Sequence, residues 1–241
     1  RPALLTSVGR DADGEALLAA CDRMGLITGL AYRSDDLPTD RYMAVEGANG
    51  LIAAIADAHS LEAAGAKILR PLSDGRLADT DAPYSGLIAL DGNLTEALLA
   101  DIARSPVFAR ADLRVAPASP GKAERLLPLL EAPNSTLYVN LEEAGYLMQR
   151  RFEDARPAAE ALRARGAARV LVTNGGATAA ECGPMGVFTA QPPKVLVTRV
   201  TGAGDTFMAA HIAAEARGDA PAEALEHSLR AAADYVSGDV E

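Results

Sequence analysis

Short apolar runs alternate with longer stretches rich in Ala, Leu, Glu and Arg along most of the chain. The runs have the length and residue types of buried strands, and the longer stretches have the spacing of amphipathic helices. The clearest pairs are "ALLTSVG" with "DGEALLAACDRMG", "SGLIAL" with "LTEALLADIARS", "DLRVAP" with "KAERLLPLLEA", and "ARVLVTNGG" with the preceding "ARPAAEALRARGA". This alternation predicts an α/β fold with a doubly wound, mostly parallel sheet that helices cover on both faces.

Residues 30–64 interrupt the alternation. Two short strands, "DRYMAVE" and "LIAAIADA", flank Gly47-Ala48-Asn49-Gly50, which has the composition of a hairpin turn. We therefore predict that residues 1–29 and 65–241 form an α/β domain for nucleotide and substrate, and that residues 30–64 form a small antiparallel β lid. The hairpin would serve as a lid or a dimer contact, and an edge ornament without function is the alternative.

Composition excludes several classes of partner. The net charge of −10 argues against a nucleic-acid or anionic-membrane surface, because both need clustered positive charge. The two cysteines, Cys21 and Cys182, lack the spacing of a metal site, which favours a reduced cytoplasmic protein. No apolar run reaches the roughly 18 residues of a spanning helix, and the first residues lack a signal-peptide pattern. The expected location is the cytoplasm.

The segment "TRVTGAGDTFMAAHIAA" carries the clearest candidate chemistry. The turn Gly202-Ala203-Gly204 allows backbone N–H groups to face one point, and the helix that follows adds partial positive charge at its N-terminus. Together they predict an anion hole suited to phosphate oxygens. The residues alone leave two roles open for Asp205: it caps the helix, or it accepts a proton from a hydroxyl group that attacks a bound phosphate.

Four ordered motifs resemble those of the ribokinase/PfkB-like family of carbohydrate kinases. They are "SVGRDADGEALL", "VNLEEAGYL" with Asn140 and Glu143, "VLVTNGG" with Thr173 and Gly175, and "VTGAGD". By themselves, Asn140 and Glu143 would be an ordinary N-cap and its capping-box partner. Within the family, Val200 and two longer stretches resemble the pseudouridine kinases, namely "PTDRYMAVEGANGLIAAIADA" in the lid and "LIALDGNLTEALL" at the substrate turn.

The resemblance implies a ribokinase-like fold and an ATP- and Mg²⁺-dependent transferase that phosphorylates the 5′-hydroxyl of a nucleoside or sugar, with pseudouridine as first candidate. Asp205 would be the general base, and Gly202, Ala203 and Gly204 would stabilise the charge of the transferring phosphoryl group. The other implied roles are nucleotide binding by Asn140, Thr173, Gly175 and Gly176, Mg²⁺ binding through water by Glu143 and Asn140, and substrate binding by Asp91, Asn93, Thr39, Tyr42 and Asp57. Asp91 and Asn93 have an equally good explanation as turn-forming residues.

Two departures from the family pattern bear on activity. Arg199 stands where the family has an Asp that helps to hold an activating monovalent cation, so we expect activity without K⁺. The family's first strand and its last helix, near the adenine, have no counterpart in the numbered sequence. We expect that both belong to the protein and lie outside this sequence, and a shortened relative of the family is the alternative.

Two alternatives to the pseudouridine prediction stay open. One is the same chemistry on ribose, fructose or adenosine, and the other is a non-catalytic, dimeric relative that only binds ligand. The resemblance also implies a homodimer through the lid. The remaining expected partner is a small molecule, with neither nucleic acid nor membrane.

Overall fold

A computed structural model describes residues 1–47 and 50–238 of the chain. The strands in this part of the chain are β1 (Ser7–Gly9), β2 (Tyr32–Ser34), β3 (Tyr42–Gly47), β4 (Gly50–Ala56), β5 (Leu87–Asp91), β6 (Asp112–Ala116), β7 (Ser135–Asn140), β8 (Arg169–Thr173), β9 (Ala179–Gly183) and β10 (Gly186–Ala190). The α-helices there are α1 (Ala12–Arg23), α2 (His59–Ala64), α3 (Glu96–Arg104), α4 (Leu127–Leu130), α5 (Leu141–Met148), α6 (Ala155–Ala164), α7 (Ala203–Arg217) and α8 (Pro221–Ser237). Short 3₁₀ helices lie at Gly65–Leu72, Pro106–Phe108 and Pro120–Leu126.

The chain forms two compact units, each taken here over its described residues. The first unit comprises Arg1–Val45, Ala53–Gly86 and Asn93–Ala111. The second unit comprises Glu46–Ile52, Leu87–Gly92 and Asp112–Glu241. The predicted division into an α/β domain and a lid at residues 30–64 stays a prediction.

A six-stranded sheet forms the centre of the second unit, in the order β10-β9-β8-β7-β6-β5. Strands β5 to β8 run parallel, while β9 is antiparallel to both β8 and β10. This arrangement confirms the predicted α/β fold with a mostly parallel sheet. The edge hairpin β9–β10 is not predicted, because "AAECG" and "GVFTA" contain many Ala and Gly residues, which are uncommon in strands.

The core of the second unit packs helices α7 and α8 against each other and against the sheet. Apolar and aromatic side chains from both helices and from β7, β8 and β9 form one buried cluster of Tyr138, Leu171, Ala179, Phe207, Met208, Leu225 and Leu229. Burial of this surface holds α7 against the sheet. The first turn of α7, which carries Asp205, therefore has a fixed position within this unit.

One predicted helix differs in type from the expectation. The stretch "KAERLLPLLEA" forms the 3₁₀ helix Pro120–Leu126, followed by a single turn of α-helix in α4. Pro128 explains the break, because a proline supplies no N–H to the helical ladder and is tolerated only in the first turn. Among the helices of residues 1–47 and 50–238, none combines the length and apolar character needed to cross a membrane.

The motif "SVGRDADG" ties α1 to the segment before the hairpin, inside the first unit. Asp11 caps α1 by accepting a bond from the Gly14 N–H (2.8 Å) and also accepts bonds from the N–H and the hydroxyl of Thr39 (both 2.7 Å). These bonds from Thr39 lower the pKa of Asp11 to about 2. A Cβ at Gly9 would lie 2.5 Å from the Thr39 nitrogen, so this close approach requires glycine.

The predicted hairpin is present, because β3 and β4 form a separate two-stranded antiparallel sheet. Residues Ala48 and Asn49 of the predicted turn lie outside the described residues. The hairpin exposes several large apolar side chains, namely Tyr42, Met43, Val45, Ile52 and Ile55.

Candidate active site

The predicted anion hole lies at the N-terminus of α7. Gly202 precedes the helix with φ +89°, a left-handed conformation that favours glycine, and its carbonyl accepts the first helical bond, from the Thr206 N–H (2.9 Å). The N–H of Ala203 donates to the Val200 carbonyl (3.1 Å) and so belongs to the turn itself. The amides of Gly204 and Asp205 follow in the first turn of the helix, where N–H groups have no intrahelical partner, and the anion-binding role of this turn stays a prediction.

Asp205 stands in the first turn of α7 but does not cap it. The N-cap position belongs to Gly202, and α7 shows no side-chain capping bond. Asp205 as a whole is exposed, while its carboxyl group is partly withdrawn from water. This desolvation, and second the charge of Asp91, raise the pKa of Asp205 above its usual range. The capping role that the sequence leaves open is therefore not realised, and the role as proton acceptor stays a prediction.

Asp91 lies at the end of β5, where the chain turns sharply. The Gly92 N–H donates to the Ala116 carbonyl (2.9 Å), and a Cβ at Gly92 would lie 2.8 Å from Cα of Pro117. Glycine is therefore required for this close backbone contact. The turn fixes Asp91 near enough to Asp205 for its charge to act on that carboxyl group.

Asn140 and Glu143 form a capping box at the start of α5. The Asn140 side chain accepts from the Glu143 N–H (2.9 Å), and the Glu143 carboxylate accepts from the Asn140 N–H (2.8 Å). Glu143 is only 7% exposed. Burial raises its pKa to about 7, with smaller contributions from the charges of Glu142 and Asp205, against the opposing bond from Asn140. Asn140 and Glu143 thus act as an N-cap and its capping-box partner. Their role toward Mg²⁺ stays a prediction.

The carboxyl groups near α5 and α7 fit a hydrated divalent cation. Glu143 and Asp205 stand close enough to raise the pKa of Glu143, so a positive charge between them would relieve their repulsion. Within the described residues, no group of three or more His, Cys, Asp and Glu side chains could form a protein cage for a metal. Mg²⁺ usually keeps several waters and binds through one or two carboxylates together with substrate phosphates.

A pocket of about 840 Å³ opens at these strand and helix ends. Its size falls in the usual range for small-molecule and cofactor sites, about 300–1,000 Å³. The register of β7 and β8 places Asn140 directly opposite Thr173. Several predicted nucleotide-binding and anion-hole residues line the pocket, namely Asn140, Thr173, Gly175, Gly176, Ala203 and Gly204. Glu142, rather than the buried Glu143, contributes to the lining.

A model of the family described as pfkB family carbohydrate kinase matches residues 1–237. The chain belongs to this family. Among solved structures it is similar to a carbohydrate kinase from Agrobacterium tumefaciens, at 26% identity and a TM-score of 0.77, over 99% of this chain and 77% of that chain. A search of curated proteins returned no match.

Two further structures show the fold alone. A ribokinase from Thermotoga maritima is 21% identical with a TM-score of 0.76, over 98% of this chain and 74% of that chain. An adenosine kinase from Schistosoma mansoni, in complex with 2-fluoroadenosine, is 16% identical with a TM-score of 0.76 over the same shares. The predicted recognition as a PfkB-type carbohydrate kinase and the predicted phosphotransferase class are confirmed. Kinases of this family generally use ATP and Mg²⁺.

The site residues predicted from the sequence do not include the apolar wall of the kinase's pocket. Leu229, Ala232, Ala233 and Val236 line the pocket from α8, and Phe207 lines it from α7. The four α8 residues have the spacing i, i+3, i+4 and i+7, which marks one face of a helix. That stripe is visible in the sequence, but it has the same appearance as an ordinary core-facing stripe.

A buried chain of polar groups joins α7 to the sheet beneath the kinase's site. Arg114 donates to the Tyr138 hydroxyl (3.0 Å), which lies 2.9 Å from Nδ1 of His211. The direction of the bond between the Tyr138 hydroxyl and Nδ1 depends on the histidine tautomer. The facing atoms Nε2 of His211 and Oε2 of Glu181 are 3.5 Å apart, and neither has a hydrogen-bond partner in the described part of the chain.

Glu215, one turn after His211 on α7, completes the network. It forms ion pairs with Arg114 and, at 2.5 Å, with Arg169, and Arg169 also pairs with Glu181 (2.6 Å). Burial alone would raise the pKa of Glu215, but the bonds from both arginines lower it. Helix α7 is thus held by charged groups from β6 and β8, and Glu181 of β9 holds one of them, Arg169.

Four predicted substrate-binding residues belong to the first unit, namely Thr39, Tyr42, Asp57 and Asn93. Thr39 is buried, and its hydroxyl accepts from the Gly9 N–H (3.1 Å) besides donating to Asp11. Tyr42 lies on β3 and is 56% exposed. Asp57 accepts bonds from the N–H and from Nδ1 of His59, which lower its pKa. Asn93 follows the turn at Gly92. Their roles stay predictions.

Proposed function

We propose that the kinase transfers the γ-phosphoryl group of ATP to the 5′-hydroxyl of a nucleoside or sugar, with pseudouridine as the first candidate acceptor. Asp205 takes the hydroxyl proton as general base. Gly202 shapes the turn, and the amides at the start of α7 stabilise the charge of the transferring group. Most of the rate acceleration then comes from positioning and electrostatics.

The observation that carries this proposal is the placement of a carboxyl group of raised pKa at a helix N-terminus beside a nucleotide-sized pocket. A general base is most effective when its pKa lies nearer the working pH than an ordinary Asp provides. Desolvation and the charge of Asp91 both act in that direction. The same helix terminus attracts phosphate oxygens, so the base and the anion site share one element.

Mg²⁺ would be held near Asn140 and Glu143 through water, and it would supply charge neutralisation for the phosphates. Thr173, Gly175 and Gly176 would lie beside the nucleotide, where they line the pocket. Asp91, Asn93, Thr39, Tyr42 and Asp57 would contact the acceptor. The choice of pseudouridine rests on the sequence patterns that include these five residues.

The acceptor is tested by ATP-dependent phosphorylation of pseudouridine, uridine, adenosine, ribose and fructose. The Asp205→Asn variant should lose about 10²–10⁴-fold in kcat, the usual contribution of a general base. Asp101→Asn is the matched control, since that side chain is exposed on α3 and is 76% accessible. Full activity of Asp205→Asn would show that the base is assigned wrongly. Preference for another acceptor would replace pseudouridine.

The second candidate is a dimeric relative that binds a nucleoside without phosphorylating it. Binding with no turnover by the wild type would favour it. Dimerisation through the hairpin is part of both proposals, and the exposed apolar side chains of β3 and β4, such as Met43 (63%) and Ile52 (72%), support it. Substituting both by Ser should yield a monomer in sedimentation measurements, whereas an unchanged dimer would place the interface elsewhere.

A further inference from the structure

The last turn of α8 holds the segment that leads into the anion-hole turn. The N–H of Thr198 donates to the Val236 carbonyl (2.8 Å), and Nε of Arg199 donates to the Tyr235 carbonyl (2.7 Å). The Arg199 guanidinium also lies over the Tyr235 ring, 3.9 Å from its centre. Two consecutive residues of the loop are thus bound to two consecutive residues of one helix end.

The hydroxyl of Tyr235 reaches the turn itself. It donates to the Thr201 carbonyl (2.9 Å). A Cβ at Gly202 would lie 2.6 Å from the same hydroxyl oxygen, so the turn packs against Tyr235 through bare backbone. Loss of this hydroxyl removes both a hydrogen bond and the group against which Gly202 rests.

The same end of α8 also forms a wall of the nucleotide pocket. Ala232, Ala233 and Val236 line the pocket, while Tyr235, adjacent to Val236, holds the turn. A displacement of this helix end would move the pocket wall and the anion-hole turn together. The two halves of the phosphoryl-transfer site therefore share one support.

We propose that Tyr235 and Arg199 are positioning residues, which hold the turn at Gly202 so that the amides of Gly204 and Asp205 point at the transferring phosphoryl group. This inference rests on the proposed kinase activity. Oxyanion-type donors act only when they are fixed at hydrogen-bond distance from the developing charge. A small shift of the turn therefore costs rate while leaving nucleotide binding largely intact.

The first test is Tyr235→Phe, which removes the hydroxyl and leaves the ring under Arg199. We expect kcat to fall about tenfold, the value of one hydrogen bond realised in the transition state, with KM for ATP changed less than about twofold. Tyr146→Phe on α5 is the matched control, because this tyrosine is 47% exposed and lies outside the proposed machinery. Equal losses in kcat and ATP binding would instead indicate a collapsed pocket and overturn the inference.

The second test separates the roles of charge and shape at Arg199. Arg199→Met should lower kcat as Tyr235→Phe does, and Arg199→Lys should restore part of the loss, because an ammonium group also lies favourably over an aromatic face. If Lys and Met behave alike, or if either variant only lowers the melting temperature, Arg199 is merely structural.

A measurement without turnover tests how the turn is held, separately from the proposed activity. The Thr206 amide donates to the Gly202 carbonyl (2.9 Å), so its hydrogen exchange reports on the first turn of α7. We expect exchange there to be about tenfold faster in Tyr235→Phe and unchanged in Tyr146→Phe. Unchanged exchange in both variants would refute the positioning role. Faster exchange, with no acceptor phosphorylated by the wild type, would support it while refuting the kinase proposal.

Discussion

Replacing Glu143 by Gln should change how the stability of the protein depends on pH. Burial raises the pKa of Glu143 from 4.5 to about 7, so the folded protein keeps this proton over a range in which the unfolded chain has lost it. The favourable contribution is fully present below pH 4.5 and is lost as the pH rises through about 7. Between pH 5 and pH 8 the loss amounts to about 2.5 kcal/mol.

The Glu143→Gln variant would keep the capping box, because the amide oxygen of its new side chain can accept the Asn140 N–H, but that side chain carries no titrating proton. We therefore expect the free energy of unfolding of the variant, relative to the wild type, to rise by about 2.5 kcal/mol from pH 5 to pH 8. Urea unfolding at several pH values measures this difference, and groups that titrate in both proteins cancel. Glu142→Gln, which changes the exposed neighbour, is the control and should show a much smaller dependence.

The reasoning fails if the difference between Glu143→Gln and the wild type stays constant with pH. It also fails if the difference falls as the pH rises, because that sign would mean that the folded protein prefers the charged carboxylate. A comparably large pH dependence for Glu142→Gln would mean that general charge repulsion around α5, rather than burial of one carboxyl group, governs the effect.

Two further predictions concern the charges around α7. Kinase activity should be the same in K⁺ and in a buffer of a large organic cation, since Arg199 places a fixed positive charge before the anion-hole turn; strong activation by K⁺ would contradict this. Glu215→Gln should lower the free energy of unfolding by about 2–3 kcal/mol, because it leaves the buried Arg114 and the half-buried Arg169 without a shared carboxylate. Glu226→Gln, on the exposed side of α8, should change the free energy of unfolding by less than about 0.5 kcal/mol. Equal effects of the two substitutions would mean that the ion pairs of Glu215 do not stabilise the fold.

The parts of the fold and of the candidate site that the sequence predicts are those marked by local residue patterns. The turn at Gly202, the helix start at Asn140 and the strand end at Thr173 each combine an element boundary with its special residues inside a few positions. Parallel strands bring such ends to one edge of a sheet, so the candidate site follows once the fold is known. The hairpin β3–β4 follows from the same kind of local pattern.

The rest depends on partners far apart in the sequence. Arg114 and Glu215 are 101 positions apart, and no local pattern indicates that they meet. No local pattern indicates the hydrogen bond between Asp11 and Thr39 or the one between Tyr235 and Thr201 either, because both form only when the chain folds. Conversely, the motif around Asp11 resembles a family signature, yet within the first unit Asp11 caps the N-terminus of α1.

The composition of the pocket wall has a thermodynamic consequence for ligand binding. Eight of the pocket's lining residues are Gly, Ala or Pro, namely Gly175, Gly176, Pro192, Pro193, Ala203, Gly204, Ala232 and Ala233. Such side chains have no rotamers to lose, so a bound nucleotide would immobilise little that was free before. Calorimetry should then find a small entropic penalty from ordering the protein. The ordering cost of binding would then fall mainly on the other lining side chains, such as Glu142 and Lys194.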